Sequence, residues 1–317
     1  VIIFNYHDFN EELFKTILEQ EKEKCSYIVH LINSKDTQIE EVNAKIIEAL
    51  KAHLQILKFE IINTFQENTL ANCLLKLGLY NKAIPWKIDC IDSHDKSHIF
   101  IGIDLGHNHQ HGSTNLTLTA IDNHGCLLTK PYQRKNLPLN ETIPYSELIK
   151  GFQNILNKSL NNDICITVHR DGVYQENIDD YHLVMRELGI KKYNLVEVTK
   201  SGVPLIGFYS ISQGKTNYLD GFSGYYIFIK DTNQSPQPND ISYLITNDQS
   251  LKTKTAPSPL KIKKVYGDKD ITRITEEIYW LTKAYSANLF EPTKLPITTH
   301  LANNFSYTKN LIHFTTE

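Results

Sequence analysis

The sequence predicts an α/β protein built as two units, a small parallel-sheet unit over residues 1–92 and a larger one over 93–317. Three observations carry this reading. Apolar strand-like runs alternate with amphipathic helix-like runs through the first part of the chain, as in a series of βα units. A polar, charged break, "DSHDKSH" over 92–98, interrupts that alternation. Beyond the break, two separate apolar runs, "FIGID" and "CITVHRD", each end on an aspartate.

The elements follow in order. Leu13, Phe14, Ile17 and Leu18 share one side of a helix over 10–24, and "SYIVHLIN" (26–33) reads as a strand. Ile39, Val42, Ile46, Ala49, Leu50 and Leu54 recur at three- and four-residue intervals, which predicts a helix over 39–54. "LKFEIIN" reads as a strand, and "ENTLANCLLKLG" as a helix capped by Asn68 or Thr69 and stopped by Gly78. After the break come the strand "HIFIGIDLG", a turn-rich stretch, the strand "LTLTAID", and the turn "NHGC" leading into "LLT". "PYSELIKGFQNILNKSL" is a helix with Pro144 at its first position. "DICITVHRDG" and "NLVEVTKS" are strands on either side of the helix "NIDDYHLVMREL". "SGYYIFIKD" and "ISYLITND" form a hairpin with a long loop, and "DITRITEEIYWLTKAYSAN" is a long helix.

Composition bounds the class. The chain has 317 residues, 41% hydrophobic and 22% charged, as expected of a globular protein. No apolar run approaches the ~18 residues of a membrane span, and the start has no basic signal-peptide region. Cys25, Cys73, Cys90, Cys126 and Cys165 are scattered without a CxxC pair, which points to reduced thiols and a cytoplasmic setting. The net charge of -3 argues against a generally basic nucleic-acid coat while leaving room for a local basic groove. The first residue is Val1, so the chain is expected to be a fragment or a processed product.

Asp104 and Asp171 are the informative residues. A buried, uncompensated carboxylate costs several kcal/mol, so each needs a partner: a lysine or arginine, backbone amides, or a metal ion. Strand ends are where α/β sheets bind ligands, and two acids brought together there repel unless protons or cations intervene. A pair of Mg2+ or Mn2+ ions is one solution, and capping of a turn by each Asp is the plain alternative.

"IFIGIDLGHN", "ITVHRDGVY" and the long stretch from "PSPLKIKKVYGDKD" to "LPITTHLANNF" together resemble the PIWI domain of the Argonaute family in its prokaryotic form. "LANCLLKLGLYNKAIPWKID" resembles the end of the family's MID domain. The likeness runs from about residue 26 to the C-terminus. It implies a Rossmann-like MID domain over 1–92 and an RNase H-like PIWI domain with a mixed central sheet over 93–317. The N-terminal and PAZ domains of long Argonautes have no counterpart here. The chain is therefore expected to be the C-terminal half of a larger protein or a truncated type, with any missing part supplied by a further region or a partner chain.

The resemblance also implies a site. Asp104 matches the family's first acid and Asp171 the acid of its "HRDG" word. Glu141, in "LNETIPYSELI", fits the glutamate on a mobile loop, with Glu147 a weaker choice. Asn303, in "HLANN", stands where the family usually has Asp or His. That is a departure, because an amide oxygen can coordinate a hard cation but brings no charge. Asp104, Asp171 and Asn303 are then the expected ligands of two Mg2+ or Mn2+ ions. His169 is expected to pack beneath the site, and His300 is an alternative ligand. His107, His109 and His111 alternate, so an extended chain would aim all three one way, as in a zinc site or a polar surface loop.

Guide and target strands would be held through their phosphates. "LKTKTAPSPLKIKK" carries Lys252, Lys254, Lys261, Lys263 and Lys264 without an acid, and Arg170, Lys191, Lys192 and Lys200 form a second basic set. Lys76 matches a family lysine that meets the guide's 5′ phosphate, and Lys51 could add a second cation. Tyr80 stands where the family often has another lysine, which leaves 5′-phosphate and 5′-hydroxyl guides both open. The expected partners are a single-stranded guide and a complementary DNA or RNA target, and no membrane. The expected function is guide-directed, two-metal cleavage of the target. The rivals are a guide-binding module that does not cut and a guide-independent RNase H-like nuclease, the latter disfavoured by the "NCLLK" and "IPWKI" region.

Overall fold

The computed structural model of the chain describes residues 27–32, 53–58, 71, 88–89, 91, 98–109, 112–156, 164–219, 222–229, 240–246, 258–285 and 293–307. The chain divides into two units, residues 1–85 with 309–314 and residues 86–308 with 315–317. In the first, β1 (Tyr27–Ile32) and β2 (His53–Lys58) pair in parallel, with Tyr27 opposite His53 and Ile32 opposite Lys58. The parallel pairing is the expected one, but β2 starts four residues ahead of "LKFEIIN". The helix expected over 39–54 therefore cannot reach Leu54. Leu54 and Ile56 fit a period of two as well as Leu50 and Leu54 fit a period near four, and here pairing with β1 decides. The other elements expected before residue 98 lie outside the described residues.

The second unit is built on one mixed sheet. Its strands are β3 (His98–Asn108), β4 (Ser113–Asp122), β5 (Tyr132–Pro138), β6 (Cys165–Asp171), β7 (Lys192–Thr199), β10 (Tyr226–Ile229), β11 (Ile241–Leu244) and β12 (Leu260–Tyr266). Their spatial order is β10-β11-β12-β7-β6-β3-β4-β5. β3, β6 and β7 are parallel neighbours in the middle, and every other pairing in this sheet is antiparallel. A separate hairpin joins β8 (Phe208–Ser212) to β9 (Lys215–Leu219). This is the mixed α/β class expected.

Helices cover both faces. α1 (Tyr145–Leu156) and α2 (Ile178–Glu187) bury Leu148, Phe152, Tyr181 and Val184 against Ile101, Ile103, Ile166 and Val168. α1 begins just after Pro144, whose carbonyl accepts the Leu148 amide at 3.0 Å, and the Asn177 side chain caps α2 by accepting the Asp179 amide at 3.1 Å. On the opposite face α3 (Ile271–Lys283) sets Ile274 and Ile278 on Val196, Val198, Leu260 and Ile262.

α4 (Ile297–Tyr307) lies on that second face directly over β3, where Ile297 and Leu301 meet Phe100 and Ile121. Two glycines permit the approach. A Cβ at Gly102 would collide with the main chain of Thr298, and one at Gly106 with Ser306. Thr119 Oγ1 locks the contact by donating to the Thr298 carbonyl at 3.0 Å. Gly102, Asp104 and Gly106 alternate along one strand, so the face that meets α4 is also the face that carries the acid.

Candidate active site

β3 and β6 run in parallel register from His98 opposite Cys165 to Ile103 opposite Arg170. Asp104 and Asp171 come next on each strand and therefore stand side by side on the α4 face. The sequence predicts that both strands stop on their acids; β6 does so at Asp171, whereas β3 continues to Asn108 because β4 keeps pairing with it, so Asp104 lies where β3 outruns β6 rather than at a strand end. Gly172, at φ +92, follows Asp171 in a conformation that side chains resist, and its amide still donates to the Val198 carbonyl of β7 at 3.0 Å.

The two acids have different partners. Asp104 is only 5% exposed, and Ser306 Oγ on α4 donates to its Oδ2. Burial, and then the charge of Asp171, push the Asp104 carboxyl up to about 6 against the pull of Ser306, Lys200 and Arg170. Asp171 instead meets a cation, since Lys200 Nζ donates to its Oδ2 at 2.7 Å. The same ammonium donates to Asn303 Oδ1 at 3.0 Å. Asp171, Asn303 and Lys200 thus converge, with Asp104 on the adjacent strand. Asn303 is brought there from inside α4.

Glu141 is not in that group. Its carboxylate is 65% exposed and pairs with His107 Nε2 at 2.9 Å. Its main chain is tied to the site more closely, because the buried Arg170 guanidinium donates to the Asp171 carbonyl at 2.7 Å and to the Glu141 carbonyl at 3.4 Å. Arg170 also faces Glu176 at 3.4 Å, so it serves as a clasp inside the fold. Glu147 is buried, accepts from the Tyr132 hydroxyl at 2.9 Å and lies near Arg134 and Lys150. His169 packs under the site as expected, fully buried with Nδ1 2.9 Å from Thr298 Oγ1. The His300 ring meets Tyr285 and Asn304.

Among the described residues no three His, Cys, Asp or Glu side chains gather as a metal cluster. Within the histidine loop, His107 and His109 are 6.0 Å apart between ring centres, and His111 lies outside the described residues. The basic stretch is partly neutralised by strands distant in sequence. Lys263 Nζ is 3.9 Å from Glu197 and Lys264 Nζ 3.8 Å from Asp240. Lys261 lies on the same strand, opposite Thr199. Lys51, Lys76, Lys252 and Lys254 lie outside the described residues. Sequence reading missed Ser306, which nothing marks as a carboxylate partner, and it took Lys200 for a phosphate contact only.

The sequence model of the Piwi domain matches residues 27–311. The chain belongs to the Piwi domain family. This bears out the resemblance read from the strand-end words. An Argonaute of Marinitoga piezophila is 27% identical to this Piwi chain over 230 residues, covering 71% of the chain and 32% of the relative. Two solved structures share the fold. That of Clostridium butyricum Argonaute bound to a guide DNA and a 19-mer target DNA has a TM-score of 0.75 at 24% identity, covering 94% of this chain and 39% of that one. That of Marinitoga piezophila Argonaute in complex with 5′ OH guide RNA has a TM-score of 0.66 at 24% identity, covering 89% and 41%. The Piwi chain therefore spans about a third of the length of the curated relative it matches.

Proposed function

We propose that this Piwi chain cleaves a phosphodiester of a nucleic-acid target selected by a bound guide strand. The observation that carries the reading is the pair Asp104 and Asp171, side by side where β6 ends and its pairing with β3 stops, with the Asn303 oxygen beside Asp171. The donor set fits a hard divalent ion. Every available group is an oxygen, and an acid whose pKa is raised by burial, and further by the neighbouring Asp171 charge, is relieved by a cation. Asp104, Asp171 and Asn303 would hold Mg2+ or Mn2+, and such ions supply charge stabilisation for the attacking and leaving oxygens of the phosphate.

The chain's own residues do the rest. Ser306 fixes the Asp104 carboxylate, and Arg170 holds the main chain at Asp171 and Glu141. Glu141 would join the acids by leaving His107. Lys261, Lys263 and Lys264 would meet strand phosphates. The MID-like stretch, with Lys51 and Lys76, would take the guide's 5′ end. A single-stranded guide and a complementary DNA or RNA target would be the partners; the similar Clostridium butyricum Argonaute binds a guide DNA and a target DNA, and that of Marinitoga piezophila a 5′ OH guide RNA. No helix among the described residues is long and apolar enough to cross a membrane. A cytoplasmic setting suits the scattered cysteines.

One observation favours a second reading, a module that binds guide and target without cutting: Lys200 already engages Asp171 and Asn303. The test is cleavage of guide-matched DNA and RNA targets in magnesium, in manganese and in chelator. The expected result is ion-dependent cutting that Asp104→Ala and Asp171→Ala each reduce by about a hundredfold or more. No cutting with either ion would favour the binding module.

A further inference from the structure

Lys200 is placed with more constraint than a surface phosphate contact needs. β3, β6 and β7 lie next to one another in parallel; β6 finishes at Asp171 and β7 at Thr199, one residue before Lys200, while Asp104 stands where β3 passes the end of β6. Asp171 is in register with Val198, so Lys200, two residues on, returns to the Asp171 face of the sheet. Its own main chain is anchored, because Lys294 Nζ donates to the Lys200 carbonyl at 2.9 Å and to Ser258 Oγ at 3.0 Å. From that anchor the ammonium spans Asp171 Oδ2 at 2.7 Å and Asn303 Oδ1 at 3.0 Å.

We propose that Lys200 is a built-in counter-cation of the site, which holds Asp171 and Asn303 together until a divalent ion displaces it and so sets the ion concentration at which the site loads. The inference rests on the metal reading given above and deepens it.

The argument is one of shared oxygens. An ion held by both Asp171 and Asn303 needs the amide oxygen of Asn303. Asn303 has only one such oxygen, and the ammonium is already on it; an ion using that oxygen's other lone pair would sit close to the ammonium, and the like charges repel. Asp171 has a second oxygen, but its Oδ2, which shares the ammonium with Asn303, is likewise taken. Ammonium and divalent ion are thus alternatives at this position.

The exchange is feasible on both sides. Lys200 carries one charge where two acids meet, so a doubly charged ion is favoured once its concentration suffices. The lysine side chain is 39% exposed, so its flexible stem can swing into water without unpacking the core, whereas Asp171 at 7% cannot follow it. Without an ion, Lys200 prevents the Asp171 charge from standing unpaired beside Asp104. Once displaced, it remains tethered near the acids, where a substrate phosphate is a suitable partner.

The test is Mn2+ binding to the full chain, followed by electron paramagnetic resonance and calorimetry, with thermal melts in chelator and in Mn2+. Lys200→Met removes the ammonium, and Lys200→Gln keeps a hydrogen-bond donor without the charge. Arg273→Met removes a charge whose ion pair is with Glu276 on α3 and serves as the control.

Both Lys200 variants should bind Mn2+ about tenfold more tightly than wild type, because no ammonium has to leave the oxygens before the site is competent to bind. Arg273→Met should change affinity less than about threefold, since it touches neither acid. The Lys200 variants should melt earlier in chelator and gain more from Mn2+ than wild type does. A wild-type chain that binds no ion while Lys200→Met does would be the same result in stronger form. Equal Mn2+ affinity in wild type and both Lys200 variants, with binding still lost in Asp104→Ala, would overturn the role of Lys200 and leave the metal reading standing. Binding by none of them, or binding indifferent to Asp104→Ala, would overturn both.

Discussion

His98 sits at the start of β3 with its ring stacked on Phe100, 4.1 Å between centres, and its Nε2 2.9 Å from Thr167 Oγ1. Lys269 Nζ lies 3.3 Å from His98 Nδ1 and donates to Glu277 at 2.7 Å. Burial first, and then the charges of Lys269, His169 and Arg273, push the His98 pKa down from 6.5 to about 2. In the unfolded chain His98 takes up its proton near 6.5, while in the folded chain it stays neutral. Between those values the unfolded state binds more protons, so the contribution to stability falls as pH drops, by up to about 1.4 kcal/mol per unit. Glu277, pushed up by burial, works in the opposite sense, so a variant comparison is needed to isolate His98. Denaturant midpoints taken at pH 7 and pH 5 should fall further in wild type than in His98→Gln. Equal falls would show that His98 titrates alike in both states. None of this is legible in the sequence, where His98 is the last letter of a polar break and its partners lie far along the chain.

At the scale of elements, legibility followed burial. β3, β6 and β7 read clearly because both faces of a central parallel strand are covered, which leaves unbroken apolar runs. β5 went unread because "YQRKNLP" is an edge strand with mostly exposed or half-exposed positions, so no alternation marks it. β12 does alternate, with Leu260 and Ile262 buried, but its lysines drew attention as a charge cluster. α4 has little propensity of its own, with Thr, Asn and His through its middle, and its place depends on the glycines of β3. β12 carries a testable consequence. Lys263 and Lys264 face Glu197 and Asp240, acids that sequence distance concealed, so part of the cluster's charge is already answered. Lys261→Ala, Lys263→Ala and Lys264→Ala combined should weaken binding of short single strands alike for all sequences and reduce the salt slope by at most about 2. An unchanged slope would assign these lysines to the sheet alone.

For the whole chain, the expected boundary at residue 92 and the division near Pro85 both separate the stretch proposed to load a guide from the sheet that carries the acids. Loading and cutting should then fail independently. Lys76→Ala should weaken binding of a 5′-phosphorylated guide by about tenfold, the size of one charge-assisted contact, and leave a 5′-hydroxyl guide nearly unaffected. Complexes of that variant assembled at saturating guide should still cut at the wild-type rate, because the acids of β3 and β6 are untouched. Asp171→Ala should behave in reverse, retaining both guides and cutting neither target. It removes a carboxylate that is 7% exposed and paired with Lys200, so its melting temperature must be checked first. Asn303→Asp refines the comparison by giving Lys200 a second acid and the site a third charge. It should bind a divalent ion more tightly while guide affinity stays level. If Lys76→Ala slows cutting at saturating guide as much as it weakens binding, or Asp171→Ala releases the guide, then the two stretches act as one site and the assignment of separate tasks is wrong.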